Sequence, residues 1–179
     1  LGDDVEVKFR NVQGAADQIK QLPETWIRTL DPTANRTGLG QPAYKVEYFN
    51  NTELKGAPVH VAYDNNIQFN KDKTPVPEGV RNNNFSVRWT ATISPDQSGD
   101  YVLGVAMDDG ARIFVNNKVV AENWKAGGRR IVKGSIYLDK NKEYELRVDY
   151  LEFAGAAVCE FGMIQDAVRD FSVLAAEAV

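Results

Sequence analysis

Cysteine is almost missing from this chain: Cys159 is the only one in 179 residues. That excludes an internal disulfide and a zinc site built from several thiolates. Cys159 lies in the apolar run AAVCEF, which makes it a buried, inert thiol rather than a nucleophile. Histidine is equally scarce. His60 stands alone, so paired-histidine metal motifs are absent, and its alternation with Val59 and Val61 predicts a place on the solvent face of a strand. No apolar run is long enough to cross a bilayer as a helix. Excess basic charge is also lacking. Twenty-one Lys and Arg stand against 25 Asp and Glu, a formal charge of -4, which argues against nucleic acid as a partner. The densest basic run, Arg129 to Lys133, is expected to be a solvated loop. There is no Gly-rich phosphate loop before a helix and no Gly-x-Ser-x-Gly elbow.

What the chain does have is alternation. In FSVRWTATI, residues Phe85, Val87, Trp89, Ala91 and Ile93 share one face, and Ser86, Arg88, Thr90 and Thr92 share the other. YKVEYF (Tyr44 to Phe49), VHVAY (Val59 to Tyr63), DYVLGVAM (Asp100 to Met107) and EYELRVDYL (Glu143 to Leu151) repeat the period of two, the last putting Tyr144, Leu146, Val148 and Tyr150 on one face and Glu145, Arg147 and Asp149 on the other, wet face. Turn signals lie between such runs, at Ser94 to Gly99, Asp109-Gly110, Asn116-Asn117 and Asp139 to Asn141. This is the rhythm of an all-β protein, an antiparallel β-sandwich or jelly-roll-like fold with one wet face per sheet. Trp89 is expected in its core.

The ends follow another pattern. LGDDVEVKF (1–9) reads as a strand, Gln13 to Leu22 as one or two turns of helix, and Gln165 to Val179 as an amphipathic helix, with Val168, Phe171, Leu174, Ala175 and Ala178 at helical spacing. The expected division is 1–22 as a flank from a host α/β domain, 23–42 as a Pro- and Gly-bearing linker, 43–163 as the sandwich, and 164–179 as a second host flank. The chain opens at Leu1 rather than Met and reads as an excised piece. No signal peptide is visible; a periplasmic or secreted location is favoured over a cytoplasmic one.

The chemistry narrows to Asp108-Asp109-Gly110. Two adjacent acids cannot by themselves straddle a glycosidic bond, which needs carboxyl groups about 5 to 9 Å apart across a cleft. They can serve a turn by accepting backbone N–H groups, with Gly110 supplying a positive φ, or they can give a hard cation its oxygens. Spacing favours the turn. Asp64-Asn65-Asn66 looks like the start of a calcium loop, but it lacks the Gly and the closing Glu of an EF-hand and is set aside.

The runs YKVEYFNNTELKGAPV, FSVRWTATISPDQSGDYVLGVAMDDGARIFVNNKVVAENW and SIYLDKNKEYELRVDYLEFAGAAVCEFG closely resemble the domain named after the fourteen-kilodalton fragment of protective antigen. Phe85, Arg88, Trp89, Ser98, Gly99, Tyr101, Asp108, Asp109, Gly110, Arg112, Asn123, Trp124, Tyr150, Glu152, Gly155 and Ala156 carry the match, which covers Tyr44 to about Gly162. Departures are Ala91 where Gly is frequent, Met107 where Ser is usual and Asn116-Asn117 where Asp-Gly is common. The resemblance implies a β-sandwich that is often glycan-binding, with Asp108, Asp109, Arg112, Asn123 and Trp124 as its carbohydrate-binding candidates. In fungal flocculin adhesins of that family the paired aspartates hold calcium, so Asp108 and Asp109 are the candidate metal ligands. The second loop that those adhesins use corresponds here to Phe153-Ala154-Gly155-Ala156, which offers no side-chain oxygen. No cofactor is therefore expected, with calcium the alternative.

LGDDVEVKF and Gln165 to Val179 resemble segments of family 3 glycoside hydrolases that flank an inserted domain of this kind. That implies a substrate-shaping module on the aglycone side of a β-glucosidase-like enzyme, with an oligosaccharide or glycoside and the parent's catalytic domains as its partners. The Ser-Asp-Trp nucleophile motif is absent, so the piece alone should be inert. A freestanding calcium-dependent adhesin module and a structural spacer are the alternatives.

Overall fold

The computed structural model describes residues 18–29 and 41–165. In chain order the strands are β1 (Gln18–Lys20), β2 (Tyr44–Phe49), β3 (His60–Asp64), β4 (Gln68–Asn70), β5 (Phe85–Ile93), β6 (Gly99–Asp108), β7 (Gly110–Val115), β8 (Lys118–Asn123), β9 (Arg130–Leu138), β10 (Tyr144–Glu152) and β11 (Val158–Gln165). They form two antiparallel sheets. One runs β1-β11-β6-β9 with β4 also on β11; the other runs β3-β2-β5-β10-β7-β8. This is the all-β sandwich that the alternation predicts.

The inward faces fill the space between the sheets. From β5 come Phe85, Val87, Trp89, Ala91 and Ile93, from β10 Tyr144, Leu146, Val148 and Tyr150, and from β6 Leu103, Val105 and Met107, all buried. Phe69, Phe85 and Tyr150 meet edge-on or tilted, with centroids 6.1 to 6.2 Å apart, the arrangement that ring quadrupoles favour. Trp89 is 1% exposed, and its indole N–H donates to Asp64 Oδ2 at 3.1 Å. Cys159 is fully buried, and burial pushes its thiol well above the ordinary value, which keeps it unreactive.

Several expectations need correction. The described end of the stretch read as helix, Gln18–Lys20, is strand β1, with Ile19 opposite Ile164 and Lys20 opposite Met163. Gly162 makes this pairing possible, because a Cβ there would lie 2.2 Å from Lys20 O. Part of the stretch read as linker is packed. Glu24–Trp26 forms a 3₁₀ turn, Trp26 and Ile27 are buried in the core, and Ile27 bridges Ile93. Trp26 Nε1 donates to Asp96 Oδ1 at 3.1 Å, and its ring meets that of Tyr101 at 4.9 Å. The basic run is not a loop throughout, since Arg130 opens β9 opposite Met107. His60 turns toward the inner side and packs on Tyr48 at 5.7 Å, whereas Val61 and Tyr63 face out. The strand at 1–9 and the helix expected over 165–179 lie outside the described residues, apart from Gln165, which closes β11.

Candidate functional site

Asp108 closes β6 in one sheet and Gly110 opens β7 in the other. The pair is therefore a corner at which the chain changes sheets, not the tip of a hairpin. The Asp108–Asp109 peptide is cis. Gly110 does not have a positive φ. It is glycine because a Cβ would stand 2.9 Å from both Asn123 O and Lys125 N, so the end of β8 can run close against the corner.

The two acids have different surroundings. Asp109 is buried. Its Oδ1 accepts the backbone N–H of Gly127 at 2.9 Å and its Oδ2 accepts that of Phe153 at 2.8 Å. One carboxylate thus ties together the loop after β8 and the loop after β10. Bonds of this charge-assisted kind each contribute about 1.5 to 3 kcal/mol. The Asp108 side chain is half-buried and makes no hydrogen bond or ion pair among the described residues. Loss of hydration, then the charge of Asp109, raises its carboxyl above the usual range, while Arg130 and Arg129 pull it back.

Beneath the corner lies a third carboxyl. Glu152 is fully buried, and Tyr150 OH sits 3.0 Å from its Oε2. That hydroxyl also makes a short bond to the carbonyl O of Asp108. One hydroxyl proton cannot serve both acceptors, so the second bond is completed when Glu152 carries a proton. Burial pushes the Glu152 carboxyl up to about 7; the charges of Asp109 and Asp108 add to this, while the Tyr150 bond and Lys71 oppose it. Lys71 Nζ is 3.6 Å from Glu152 Oε1.

The five candidate residues divide into two groups. Asp108, Asp109 and Asn123 meet at the corner, with Arg130 as the tie. Arg130 Nη2 donates to Asn123 Oδ1 at 3.2 Å and to Lys125 O at 2.8 Å, and Nη1 donates to Gly128 O at 2.8 Å. Arg112 and Trp124 meet each other on the outer face of the six-stranded sheet, the guanidinium lying 4.1 Å from the indole centroid. There Arg112 also donates to Asp149 Oδ2 at 3.1 Å. Asp149, expected on a wet face, is fully buried under arginines. Arg88 grips it with two bonds at 2.7 and 3.1 Å, and Arg147 stands 3.7 Å away. Arg112 and Trp124 are therefore already engaged with this chain's own groups.

Sequence reading assigned no role to Arg130, Lys71, Tyr150 or Glu152. Tyr150 and Glu152 were among the matched residues, but only the fold brings the end of β10 beneath the corner. Calcium takes about 6 to 8 oxygens. Both Asp109 oxygens are engaged by backbone N–H groups, the Phe153-Ala156 loop brings no side-chain oxygen, and among the described residues no three His, Cys, Asp or Glu side chains are grouped to hold a metal.

Comparison with known proteins completes the picture. Anti-sigma-I factor RsgI3 of Acetivibrio thermocellus is 28% identical over 123 residues, 69% of this chain and 18% of that protein. The chain thus spans under a fifth of the curated relative it matches. The crystal structure of a β-glucosidase from Kluyveromyces marxianus superposes with a TM-score of 0.68 at 20% identity, over 87% of this chain and 20% of that one. A solved PA14 sugar-binding domain from an RTX adhesin superposes at 0.56 with 18% identity, over 66% of this chain and 87% of that one. Residues 40–159 match the PA14 domain itself, including both sides of the acidic corner. With more than half of its length inside that match, the chain belongs to the PA14 domain family.

Proposed function

We propose that this domain is a non-catalytic carbohydrate-binding module whose ligand-facing end is the Asp108–Asp109 corner with the loops it gathers. The observation that carries this reading is the unequal use of the two acids. Asp109 is committed to backbone N–H groups, whereas Asp108 keeps an unbonded, half-buried carboxylate at the same place. A poorly hydrated carboxylate gains from accepting hydroxyl donors, and a sugar offers vicinal hydroxyls. Phe153, 36% exposed beside the corner, supplies an apolar face for a pyranose ring. The solved relative described as a sugar-binding domain has the same fold across nearly all of its length, which supports the reading.

We further propose that the module works inside a longer, β-glucosidase-like glycoside hydrolase, where it shapes the aglycone side of the substrate site. The β-glucosidase superposition extends over 87% of this chain, beyond the stretch 40–159, and so supports a shared context as well as a shared body.

Titration of the domain with neutral oligosaccharides tests the first proposal. Saturable shifts of the Gly127 and Phe153 amides, the backbone partners of the corner, that Asp108→Ala abolishes with the melting temperature kept, are the expected result; unchanged shifts in that variant refute it. The pure domain should show no turnover of aryl glycosides: hydrolysis needs two carboxyl groups about 5 to 9 Å apart across a cleft, and Asp109 at the corner is committed to two backbone N–H groups. For the second proposal, removal of residues 41–165 from the longer protein should raise KM for oligosaccharides more than for a short aryl glycoside. Equal effects on both would count against it.

A further inference from the structure

A second place in the molecule has the chemistry of a ligand site. A cavity of about 440 Å³ opens between the end of edge strand β3 and β4, and β4 is separated from β6, the strand that Asp108 closes, by β11. Its lining includes Tyr48, Tyr63, Asp64, Asn65, Asn66 and Gln68. The volume falls within the range of about 300 to 1,000 Å³ usual for small-molecule sites. No Lys or Arg lines it, and Asp64 has no ion pair among the described residues.

The polar groups here are underused. Among the described residues the side chains of Tyr63, Asn65 and Asn66 make no hydrogen bond. Asp64 spends one oxygen on the Trp89 indole N–H and leaves the other unbonded. Gln68 accepts only a long 3.4 Å bond from Gln21. Tyr63 is 47% exposed, an aromatic face at the rim. A half-buried carboxylate without a cation, primary amides that both donate and accept, and an exposed ring together suit a neutral polyol with apolar C–H faces. They do not suit an anion, which would meet Asp64 with nothing to compensate it.

We propose that this cavity is a second carbohydrate site, taking one or two neutral pyranose units, with Tyr63 as the stacking face and Asp64, Asn65, Asn66 and Gln68 as hydroxyl partners. It goes beyond the corner reading and uses none of the corner's residues. It also gives Asp64-Asn65-Asn66 a use other than the calcium loop it superficially resembles.

The three tryptophans provide the test. Trp89 lies under the cavity through its bond to Asp64, Trp124 sits in the backbone stretch 123–125 that backs onto Gly110 of the corner, with its ring under Arg112, and Trp26 is held by Asp96. Nitrogen-detected proton spectra of the indole groups should be recorded during titration with cellobiose, xylobiose and lactose, with glucuronic acid as the anionic control. At least one neutral disaccharide should move the Trp89 indole and the 63–68 backbone amides saturably, while glucuronic acid does not. Tyr63→Ala and Asn65→Ala, both at exposed positions, should raise that Kd by about tenfold or more. Movement of Trp124 without Trp89 would overturn the cavity proposal and leave the corner reading standing. Movement of Trp89 without Trp124 would do the reverse. If neither moves, or if Tyr63→Ala binds like the parent, the cavity is not a sugar site.

Discussion

Asp149 on the outer sheet face and Asp109 at the corner are both buried carboxylates, and they are satisfied by opposite means. Asp149 takes its bonds from guanidinium groups, so its charge is cancelled where it lies. Asp109 takes its bonds from neutral backbone N–H groups, so no cation is bonded to it, and Arg130 and Arg129 act on its neighbour Asp108 from the side. Burial first, and then the charge of Asp109, raise the carboxyls of Asp108 and Glu152. The outer face is a closed electrostatic unit. The corner has acceptor capacity left over, which is what a ligand site requires.

The largest expected effect sets a baseline for both regions. Trp89→Ala should cost about 3 to 5 kcal/mol by chemical denaturation, through the cavity it leaves. It also strips Asp64 of its indole donor. Trp124→Ala, which removes a partly exposed cation–π contact, should cost about 1 kcal/mol or less. Equal losses would mean that the assignment of core and surface tryptophans is wrong.

Next comes the outer face. Asp149→Ala leaves three arginines facing one another without their common partner. It should destabilise by about 3 kcal/mol, at the low end for broken buried pairs because the guanidiniums still reach water. Asp149→Ala combined with Arg88→Ala should recover part of the loss. A variant that melts like the parent would show that Asp149 is not the hub of that face.

The buried carboxyl beneath the corner predicts a pH dependence. Glu152 titrates near 7 in the folded protein, against 4.5 for an ordinary glutamate. Between those values the folded state holds a proton that the unfolded chain has released. Stability should therefore fall as pH rises from about 4.5 to 7, by something on the order of 2 to 3 kcal/mol. Glu152→Gln should flatten that slope and raise the melting temperature at pH 7.5. A slope that survives the substitution would place its source elsewhere.

Calcium should have the smallest effect. A cation at a hundred times its Kd would add about 2.7 kcal/mol to the folded state. With both Asp109 oxygens engaged by N–H groups, millimolar calcium should leave the melting temperature close to its value in chelator. A clear upward shift, erased by Asp108→Ala, would favour a calcium-dependent lectin.

The contrast between the two regions also shows what could be read from sequence. Cys159 was placed inside by its apolar run; alternation located β2, β3, β5, β6 and β10 and placed Trp89 inside, because period two reports the face of a strand directly. It misplaced Asp149, since burial there comes from arginines on neighbouring strands that only the sheet brings together. It missed Trp26 and Ile27 in a stretch rich in turn-formers; the Trp-Ile dipeptide was the available signal. It read Gln18–Lys20 as helix, where pairing with β11 overrides local preference. Asp108-Asp109 was legible as a special pair, but adjacency in sequence concealed that one acid faces inward to two loops and the other does not.

That division of labour is the central claim, and one paired measurement tests it. Asp108→Ala and Asp109→Ala should be compared by thermal melting and by oligosaccharide titration on the same samples. Asp109→Ala should lose about 2 kcal/mol or more as two backbone N–H groups lose their acceptor. Asp108→Ala should melt like the parent and lose sugar binding at the corner, read from the Gly127 and Phe153 amides. If Asp108→Ala is the destabilised variant, or if Asp109→Ala alone abolishes binding at full stability, the roles assigned to the two acids are reversed and the account fails.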